Sequence, residues 1–232
     1  MILIFNIDGC PQHKALAEGL RESGREVTEA SVSLLGSMTE TRKLISRIRP
    51  HSIVVEPPLR NLASAQRDSQ NAFRVNCEDL LNVGMAALEF RCKIVLLSSA
   101  EVFGQRGGPW IESDEPQPKS SLAESILRTE QLFGRLKTDV LIVRTGLRLP
   151  DSQLNIAELG SIPTKALIAP ILARDLGRLL HSFLERDFVG LIHVPSTETA
   201  VSKRDFFQEL MAQPEASQFA QDAARSPVHS TH

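Results

Sequence analysis

Short apolar runs alternate with longer amphipathic stretches along most of this chain. Met1–Phe5, Ser52–Val55, Lys93–Leu97 and Val140–Arg144 are short apolar runs bounded by turn or polar residues, and His13–Glu22, which follows the first of them, has the apolar spacing of a helix. An alternation of this kind is typical of βαβ units. The pattern therefore predicts an α/β protein with a parallel sheet covered by helices.

The other predicted elements continue the same alternation. We expect two further strands, five further helices and one loop rich in Gly, Pro and acidic residues: strands at Glu26–Val32 and Leu191–Val194, helices at Glu40–Ile48, Asn71–Phe90, Ser121–Leu136, Ile171–Leu184 and Lys203–Met211, and the loop at Gly104–Lys119. Together they form a single predicted domain over residues 1–212. Residues 213–232 are too polar to pack, and we expect them to form a disordered tail.

Composition excludes several classes of function. With 232 residues, a net charge of −2 and no dense run of Lys or Arg, the chain lacks the charge pattern of a protein that binds nucleic acid or an anionic membrane. Cys10, Cys77 and Cys92 have no zinc-site spacing, and their odd number implies no disulfide framework. The first apolar run is too short for a signal peptide or a membrane span. We therefore expect a cytoplasmic protein without a metal site.

Four stretches, taken in order, carry a resemblance to a known family. They are Arg49–Leu88, with a V-N pair at Asn76, Leu97–Gly104 (LSSAEVFG), Leu141–Thr145 (LIVRT) and Pro170–Glu209. Their order and spacing resemble the extended short-chain dehydrogenase/reductases, and most closely the dTDP-4-dehydrorhamnose reductase-like branch. The resemblance implies a Rossmann-type, doubly wound parallel sheet that binds NAD(P) at its carboxyl edge and a sugar nucleotide opposite.

The glycine-rich loop of this family is degenerate in the chain. The family pattern T-G-x-x-G-x-x-G falls on Phe5–Gln12, where Gly9 is the only glycine retained and Gln12 replaces the last one. Asn6 can adopt a left-handed conformation, whereas Asp8 brings a negative charge to the expected phosphate position. Asn6 and Gly9 are therefore candidate nucleotide contacts, but ordinary NAD(P) binding is disfavoured.

The family's catalytic Tyr and Lys are also replaced. In these enzymes a Tyr donates a proton, a Lys four residues later lowers its pKa, and a Ser or Thr completes the relay. The resemblance places the Tyr at Leu122 and the Lys at Ile126, an alignment anchored by the family's trailing Glu at Glu130, while Ser99 is the only position retained. The chain contains no tyrosine at all. We therefore predict no catalytic residues, and we expect Leu122 and Ile126 to belong to an apolar helix stripe.

Three further side chains are candidates for binding a nucleotide. Ser98 and Ser99 follow a predicted strand, where their hydroxyls either contact a ligand or satisfy backbone groups. Arg144 ends another strand, where it either holds a phosphate with both arms of its guanidinium or pairs with Asp175 or Glu112.

The C-terminal lobe, about 145–212, is shorter than the family's substrate lobe. Only Thr145 to Pro170 separates the fifth strand from the closing motif. A thin substrate wall and the lost Tyr and Lys favour a non-catalytic binding or regulatory protein that retains a nucleotide or sugar-nucleotide site. Such a protein would resemble the non-catalytic subunit of methionine adenosyltransferase. The alternatives are an NAD(P)-dependent reductase or epimerase with unconventional residues, and an assembly subunit that binds no ligand. For an assembly role, the helices at 71–90 and 121–136 are the expected homodimer surface.

Overall fold

A parallel sheet of six strands forms the centre of the computed structural model, which describes residues 1–104, 110–150, 167–168, 170–194 and 201–202. The six strands are β1 Ile2–Asn6, β2 Val27–Ser31, β3 Ser52–Val55, β4 Lys93–Ser99, β5 Val140–Thr145 and β9 Gly190–Val194. Every pairing in this sheet is parallel, and the strand order is β2-β1-β3-β4-β5-β9.

Helices connect the strands and cover both faces of the sheet. They are α1 Pro11–Glu22, α2 Met38–Ile48, α3 Leu62–Arg67, α4 Ser69–Phe73, α5 Leu80–Phe90, α6 Ser121–Phe133 and α7 Ala173–Glu185, with a π-helical segment at Arg74–Asp79 and 3-10 turns at Val32–Leu34 and Ala100–Phe103. Four two-residue strands form two small pairs. β6 (Arg148–Leu149) is parallel to β8 (Ile171–Leu172), and β7 (Leu167–Ile168) is antiparallel to β10 (Val201–Ser202).

The sheet separates two hydrophobic layers because successive side chains of a strand point to opposite faces. In β1, Ile2 and Ile4 join the layer that packs against α1 and α7, while Leu3 and Phe5 join the layer that packs against α2, α5 and α6. All four are almost fully buried. A strand that is buried on both faces has a nearly continuous run of apolar residues, and β1 is such a strand. The parallel sheet with helices on both faces confirms the prediction of a doubly wound, Rossmann-type fold.

Two glycines bring α1 and α7 into close contact. A Cβ atom at Gly19 would lie 2.1 Å from the carbonyl oxygen of Arg174, and one at Gly177 would lie 2.4 Å from that of Leu16. Both distances are far below van der Waals contact, and the opposing atoms belong to backbone. The two helices therefore pack at a separation that no larger residue at either position would allow.

Some predicted boundaries differ from those observed. The helix predicted at Asn71–Phe90 is instead α4, the π-helical segment and α5, and the helix predicted at Ile171–Leu184 begins only at Ala173, after β8. The part of the predicted loop at 110–119 that the structure describes contains no helix or strand. The helix predicted at Lys203–Met211 and the predicted tail at 213–232 lie outside the described residues.

Candidate functional site at the carboxyl edge of the sheet

The parallel strands bring their carboxyl ends to a single edge of the sheet. β1 ends at Asn6, β3 at Val55, β4 at Ser99 and β5 at Thr145. In open α/β sheets ligands bind outside this edge, and a helix N-terminus there offers free N–H groups to anions. The candidate residues of the sequence therefore lie on the correct edge, and their surroundings decide what they can do.

The turn from β1 into α1 keeps one feature of a nucleotide loop. Gly9 has a φ of 72° with open space where a Cβ atom would be. Asn6, in contrast, belongs to extended β1, so the left-handed conformation considered for it is not adopted, and its side-chain amide donates a hydrogen bond to Glu29. Asp8 accepts a hydrogen bond of 2.9 Å from the Ser31 hydroxyl. These contacts join the ends of β1 and β2.

A buried ionic network lies beside this turn. The Glu56 carboxylate, just after β3, accepts hydrogen bonds from His13 Nε2 on α1 and from Arg148 Nη2 on β6. Arg60 Nη1 lies 3.3 Å from the same carboxylate, and the backbone N–H of Ile7 donates to His13 Nδ1 at 2.8 Å. His13, Glu56 and Arg148 are only 3%, 2% and 6% exposed. The network thus connects α1 to the ends of two strands through interior charges.

These charges shift the proton equilibria of the network. Burial alone would raise the pKa of Glu56, but Arg148, Arg60 and His13 hold it well below its usual value. Burial lowers the pKa of His13, yet Glu56 and, to a smaller extent, Cys10 outweigh this effect and raise that pKa to about 9. The Ile7 N–H opposes protonation, because Nδ1 can accept its hydrogen bond only without a proton. The second proton of the ring and the backbone N–H of Ile7 therefore compete for the same nitrogen.

Arg144 is held by a carboxylate of the protein itself. Its Nε and Nη2 donate to the two oxygens of Glu130 at 2.9 and 2.6 Å, and both residues are buried. The Ser98 hydroxyl donates to the same carboxylate. Ser99 Oγ accepts the backbone N–H of Glu101 at 3.2 Å and so caps the 3-10 turn after β4. Ser99 thus satisfies a backbone group, one of the two roles considered for it, whereas Ser98 satisfies a side chain.

The ion-pair partner predicted for Arg144 is therefore wrong. Asp175 pairs within its own helix, and Glu112 accepts the backbone N–H of His193 at 2.7 Å, a hydrogen bond that lowers the pKa of Glu112. The Arg144–Glu130 pair joins β5 to α6, two elements that lie side by side only in the folded protein. With Nε and Nη2 engaged by Glu130 and Nη1 lying 3.3 Å from His193 Nε2, this guanidinium is poorly placed to hold a phosphate as well.

Leu122 and Ile126, where the resemblance places the family's Tyr and Lys, lie in an apolar cluster. Leu122 and Ile126 are 2% and 5% exposed and pack with Val102 and Phe103. Trp110 stacks on the Phe103 ring, with ring centres 4.7 Å apart and planes within 8°. The expected apolar stripe is confirmed, but it is buried within the chain. Leu122 and Ile126 are therefore not available to the homodimer surface expected on the helices at 71–90 and 121–136, and a homodimer through other residues of these helices is a prediction that the structure does not test.

The family's helix Asn has a structural role here. Asn76, in the π-helical segment, is fully buried and exchanges hydrogen bonds of 2.9 and 3.0 Å with the backbone of Leu59. Its side-chain amide also donates to Ser125 Oγ at 2.9 Å, and Thr129 Oγ1 donates to the Asn76 carbonyl at 2.8 Å. The contacts of Asn76 thus attach the loop after β3 and the helix α6 to each other.

Sequence reasoning missed His13, Glu56 and Arg148. A signal for one of them was present, because Glu56 is a carboxylate placed directly after the fully buried run Ser52–Val55. Charged residues are rarely buried without a partner, so a carboxylate at this position predicts a cationic side chain beside it. The strand order determines which cationic side chain lies there.

Two features are absent from the described residues. No group of three or more His, Cys, Asp or Glu side chains is arranged to hold a metal ion. No helix of that part of the chain is both long and apolar enough to cross a membrane.

The residues at the start of α1 do not fit a dinucleotide bound in the usual manner. Gly9 fits the tight turn, but Gln12, at the position of the last glycine, is only 5% exposed. The buried side chains of His13 and Glu56 lie beside the helix N-terminus. In a usual dinucleotide site, the pyrophosphate of the cofactor approaches the backbone at this place. A cofactor in this site would therefore need a different set of contacts.

The fold and the position of the site define a Rossmann-type α/β protein with its candidate site at the carboxyl edge of the sheet. The chain belongs to the family described as the RmlD substrate binding domain, whose model matches residues 13–158, more than half of the chain. This is a family of NAD(P)-dependent sugar-nucleotide reductases and epimerases, and its match confirms the resemblance inferred from the four sequence stretches. No sequence among curated proteins gives a significant match.

Solved structures share the fold at low sequence identity. A dTDP-4-dehydrorhamnose reductase of Clostridium acetobutylicum is 20% identical with a TM-score of 0.80, and the match covers 90% of this chain and 79% of that one. The reductase of Bacillus anthracis, solved in complex with NADP, is 21% identical with a TM-score of 0.78 over 91% and 80% of the two chains. The enzyme WbmH of Bordetella bronchiseptica, solved with NAD+, is 20% identical with a TM-score of 0.71 over 92% and 81%. At these identities the likeness shows the fold alone.

Proposed function

We propose that this protein is a non-catalytic member of its family that binds a nucleotide or sugar nucleotide in a binding or regulatory role. The observation that carries the proposal is the burial of Leu122 and Ile126, at 2% and 5% exposure, where the family's catalysis needs a Tyr and a Lys. An aliphatic side chain can neither donate a proton to a carbonyl nor lower the pKa of a neighbour. Neither side chain at these two positions can therefore take part in the proton transfer that the family's Tyr and Lys perform.

Two polar atoms at the carboxyl edge support ligand binding. Asn6 Oδ1 and Arg148 Nε are buried, and neither has a hydrogen-bond partner among the described residues. Buried polar atoms nearly always have a partner, because leaving one unpaired costs about 1–3 kcal/mol. One atom is an acceptor and the other a donor, so both kinds of hydrogen-bonding group are left unused near this edge.

The proposal is tested by titrating the purified protein with dTDP- and UDP-sugars, NADPH and NADH while its melting temperature is measured. We expect stabilisation by a sugar nucleotide, about 2.7 kcal/mol at a ligand concentration 100 times the Kd. Incubation with NADPH and dTDP-4-dehydrorhamnose should leave the absorbance of NADPH unchanged. Oxidation of NADPH dependent on the sugar nucleotide would contradict the non-catalytic assignment.

A matched pair of variants locates the bound ligand. Arg60→Ala removes a partly exposed guanidinium beside Glu56 and should weaken the shift caused by the sugar nucleotide. Arg42→Ala removes an exposed guanidinium that pairs with Glu89 on the helical layer, and it should leave the shift unchanged. Equal shifts in both variants would place the ligand elsewhere.

The second candidate is an NAD(P)-dependent reductase or epimerase with unconventional catalytic residues. Family membership favours it, as do the relatives solved with NADP and NAD+. Ser99, at the end of β4, is the one family catalytic position that the chain retains. If NADPH oxidation is found, its loss in Ser99→Ala but not in Arg42→Ala would assign the reaction to this site.

We further infer a cytoplasmic location. The three cysteines are free in the structure, which suits a reducing compartment. Fractionation of the source cells with an antibody against the protein tests this location, and recovery in a membrane or extracellular fraction would contradict it.

A further inference from the structure

The turn from β1 into α1 is closed by a hydrogen bond that depends on one histidine. The backbone N–H of Ile7 donates to His13 Nδ1 at 2.8 Å, and the backbone N–H of Cys10 donates to the Ile7 carbonyl at 3.0 Å. His13 is 3% exposed, so the first of these hydrogen bonds lies away from bulk water. The Ile7 N–H therefore depends on an imidazole nitrogen that accepts only while it carries no proton.

The partners of the His13 ring define its protonation state in this geometry. Nδ1 accepts from Ile7 and so carries no proton, while Nε2 faces the Glu56 carboxylate and donates to it. Arg148 and Arg60 hold the same carboxylate ionised. The structure therefore contains a neutral imidazole with its proton on Nε2, and a second proton on the ring requires the Ile7 hydrogen bond to break.

The charged and titratable groups that face the ring act in opposite directions on this second proton. Glu56, after β3, attracts it and, with a smaller contribution from Cys10 at the N-cap of α1, raises the pKa of His13 to about 9. The guanidiniums of Arg60, after β3, and Arg148, in β6, repel it. The hydrogen bond from the turn opposes it as well, because a hydrogen bond to the neutral form of a histidine lowers its pKa.

We propose that His13 is a proton-operated latch on the turn at the start of α1. The neutral ring holds the turn closed through the Ile7 N–H. When Nδ1 takes up a proton from solvent, the ring becomes an imidazolium ion with donors on both nitrogens, and the Ile7 N–H loses its acceptor. Since this turn lies at the candidate site, its two states present different donors and a different charge to the carboxyl edge of the sheet. The latch is a property of the protein alone and does not depend on the proposed ligand.

The test is NMR spectroscopy of the nitrogen-15-labelled, ligand-free protein from pH 5.5 to pH 10. The chemical shifts of His13 Nδ1 and Nε2 report protonation of the ring, and the scalar coupling across the hydrogen bond between the Ile7 nitrogen and Nδ1 reports the latch. We expect this coupling above the midpoint and its loss below it, with one midpoint between pH 6.5 and about pH 9 for both signals. A coupling that persists after His13 is protonated, or a ring that keeps one protonation state over the whole range, would overturn the proposal.

A matched pair of histidine variants separates the latch from other effects of pH. In His13→Gln the side chain offers a carbonyl acceptor and an amide donor but does not titrate, so the chemical shift of the Ile7 amide should lose its pH-dependent step. His51→Gln removes an exposed histidine just before β3, and the step should remain. A step of full size in His13→Gln, or its loss in His51→Gln, would overturn the assignment of the latch to His13.

A second pair of variants tests the influence of the surrounding charges. Arg60→Gln removes a partly exposed cation beside Glu56, so the midpoint of the His13 titration should rise by about 0.3–1 pH unit. Arg42→Gln removes an exposed cation on α2, and the midpoint should not change. A lower midpoint in Arg60→Gln, or equal midpoints in the two variants, would contradict the role of this cluster in setting the latch.

Discussion

At the scale of single residues, the burial of Leu122 and Ile126 determines the environment of a whole helix face. Leu122 and Ile126 occupy one side of α6, next to Phe103 and under the ring pair that Phe103 forms with Trp110. A Lys side chain in this environment would need water or a charged partner. The apolar cluster supplies neither, and this face contributes to the packing of the protein.

Ile126→Lys should therefore destabilise the protein strongly. The substitution removes buried apolar surface and places an ammonium group in an apolar cluster, and we expect a loss of about 3–5 kcal/mol in the free energy of unfolding. Denaturant unfolding measures this loss. The control is Gln131→Lys, an exposed position on the same helix, where the change should stay within about 0.5 kcal/mol. Similar values for the two variants would mean that Ile126 is not buried as described.

At the scale of elements, the contact between α1 and α7 depends on residues that lack a side chain. Gly19 and Gly177 face the backbone of the opposite helix, and α1 carries both this contact and the N-terminus at the candidate site. A shift of α1 would therefore also move Cys10 and His13. The packing on one face of the sheet thus holds the helix N-terminus in position at the carboxyl edge.

Gly177→Ala tests this contact. The new methyl group would lie 2.4 Å from the Leu16 carbonyl oxygen and force the helices apart. Overpacking costs about 1–3 kcal/mol, while the better helix propensity of Ala returns up to about 1 kcal/mol, so a net loss of about 1–2 kcal/mol is expected. The melting temperature reports it. Gly36→Ala, whose nearest neighbour would lie 3.9 Å away, should have little effect. No loss in Gly177→Ala would show that the two helices can separate freely.

At the scale of the whole molecule, the network around Glu56 links distant parts of the chain. The carboxylate joins His13, 43 residues earlier, to Arg148, 92 residues later. Removing one partner of a buried ion pair leaves the other charge unpaired, which costs more than the pair itself contributes.

Glu56→Gln should therefore lower the free energy of unfolding by about 3–5 kcal/mol. Glu40→Gln is the matched control, since it removes the same charge from an exposed pair with Lys43, and it should cost about 1 kcal/mol or less. Urea unfolding at neutral pH compares the two. A loss no larger in Glu56→Gln than in Glu40→Gln would contradict the importance of the network.

The same pair of variants differs in its pH dependence. The pKa of Glu56 is held well below its usual value of about 4.5, so its contribution to stability is complete above pH 4.5 and is lost as the pH falls through the lowered pKa. Unfolding followed from pH 6 to pH 2 should show this acid loss in the unaltered protein and in Glu40→Gln. In Glu56→Gln the curve should be flatter, and equal slopes would show that another carboxylate controls the acid limb.

The sequence by itself predicted most of the strands and helices, and it contains the motifs that indicate the family. Apolar runs such as Ser52–Val55 predict buried strands because strands covered on both faces must be apolar throughout. Four motifs in order are enough to indicate the family, and the absence of tyrosine from the sequence is evident without reference to any coordinates. Local backbone preferences and side-chain identity carry these conclusions, and both can be read from the chain itself.

Only the tertiary structure decided which charges meet. Arg144 was a candidate for a phosphate, yet it pairs with Glu130, and Glu56 finds His13 and Arg148 across the sheet edge. These partners are far apart in sequence and become neighbours because the strand order β2-β1-β3-β4-β5-β9 brings their elements together. A buried charge selects its partner by distance in the folded state, and periodicity along the chain contains no information about that distance.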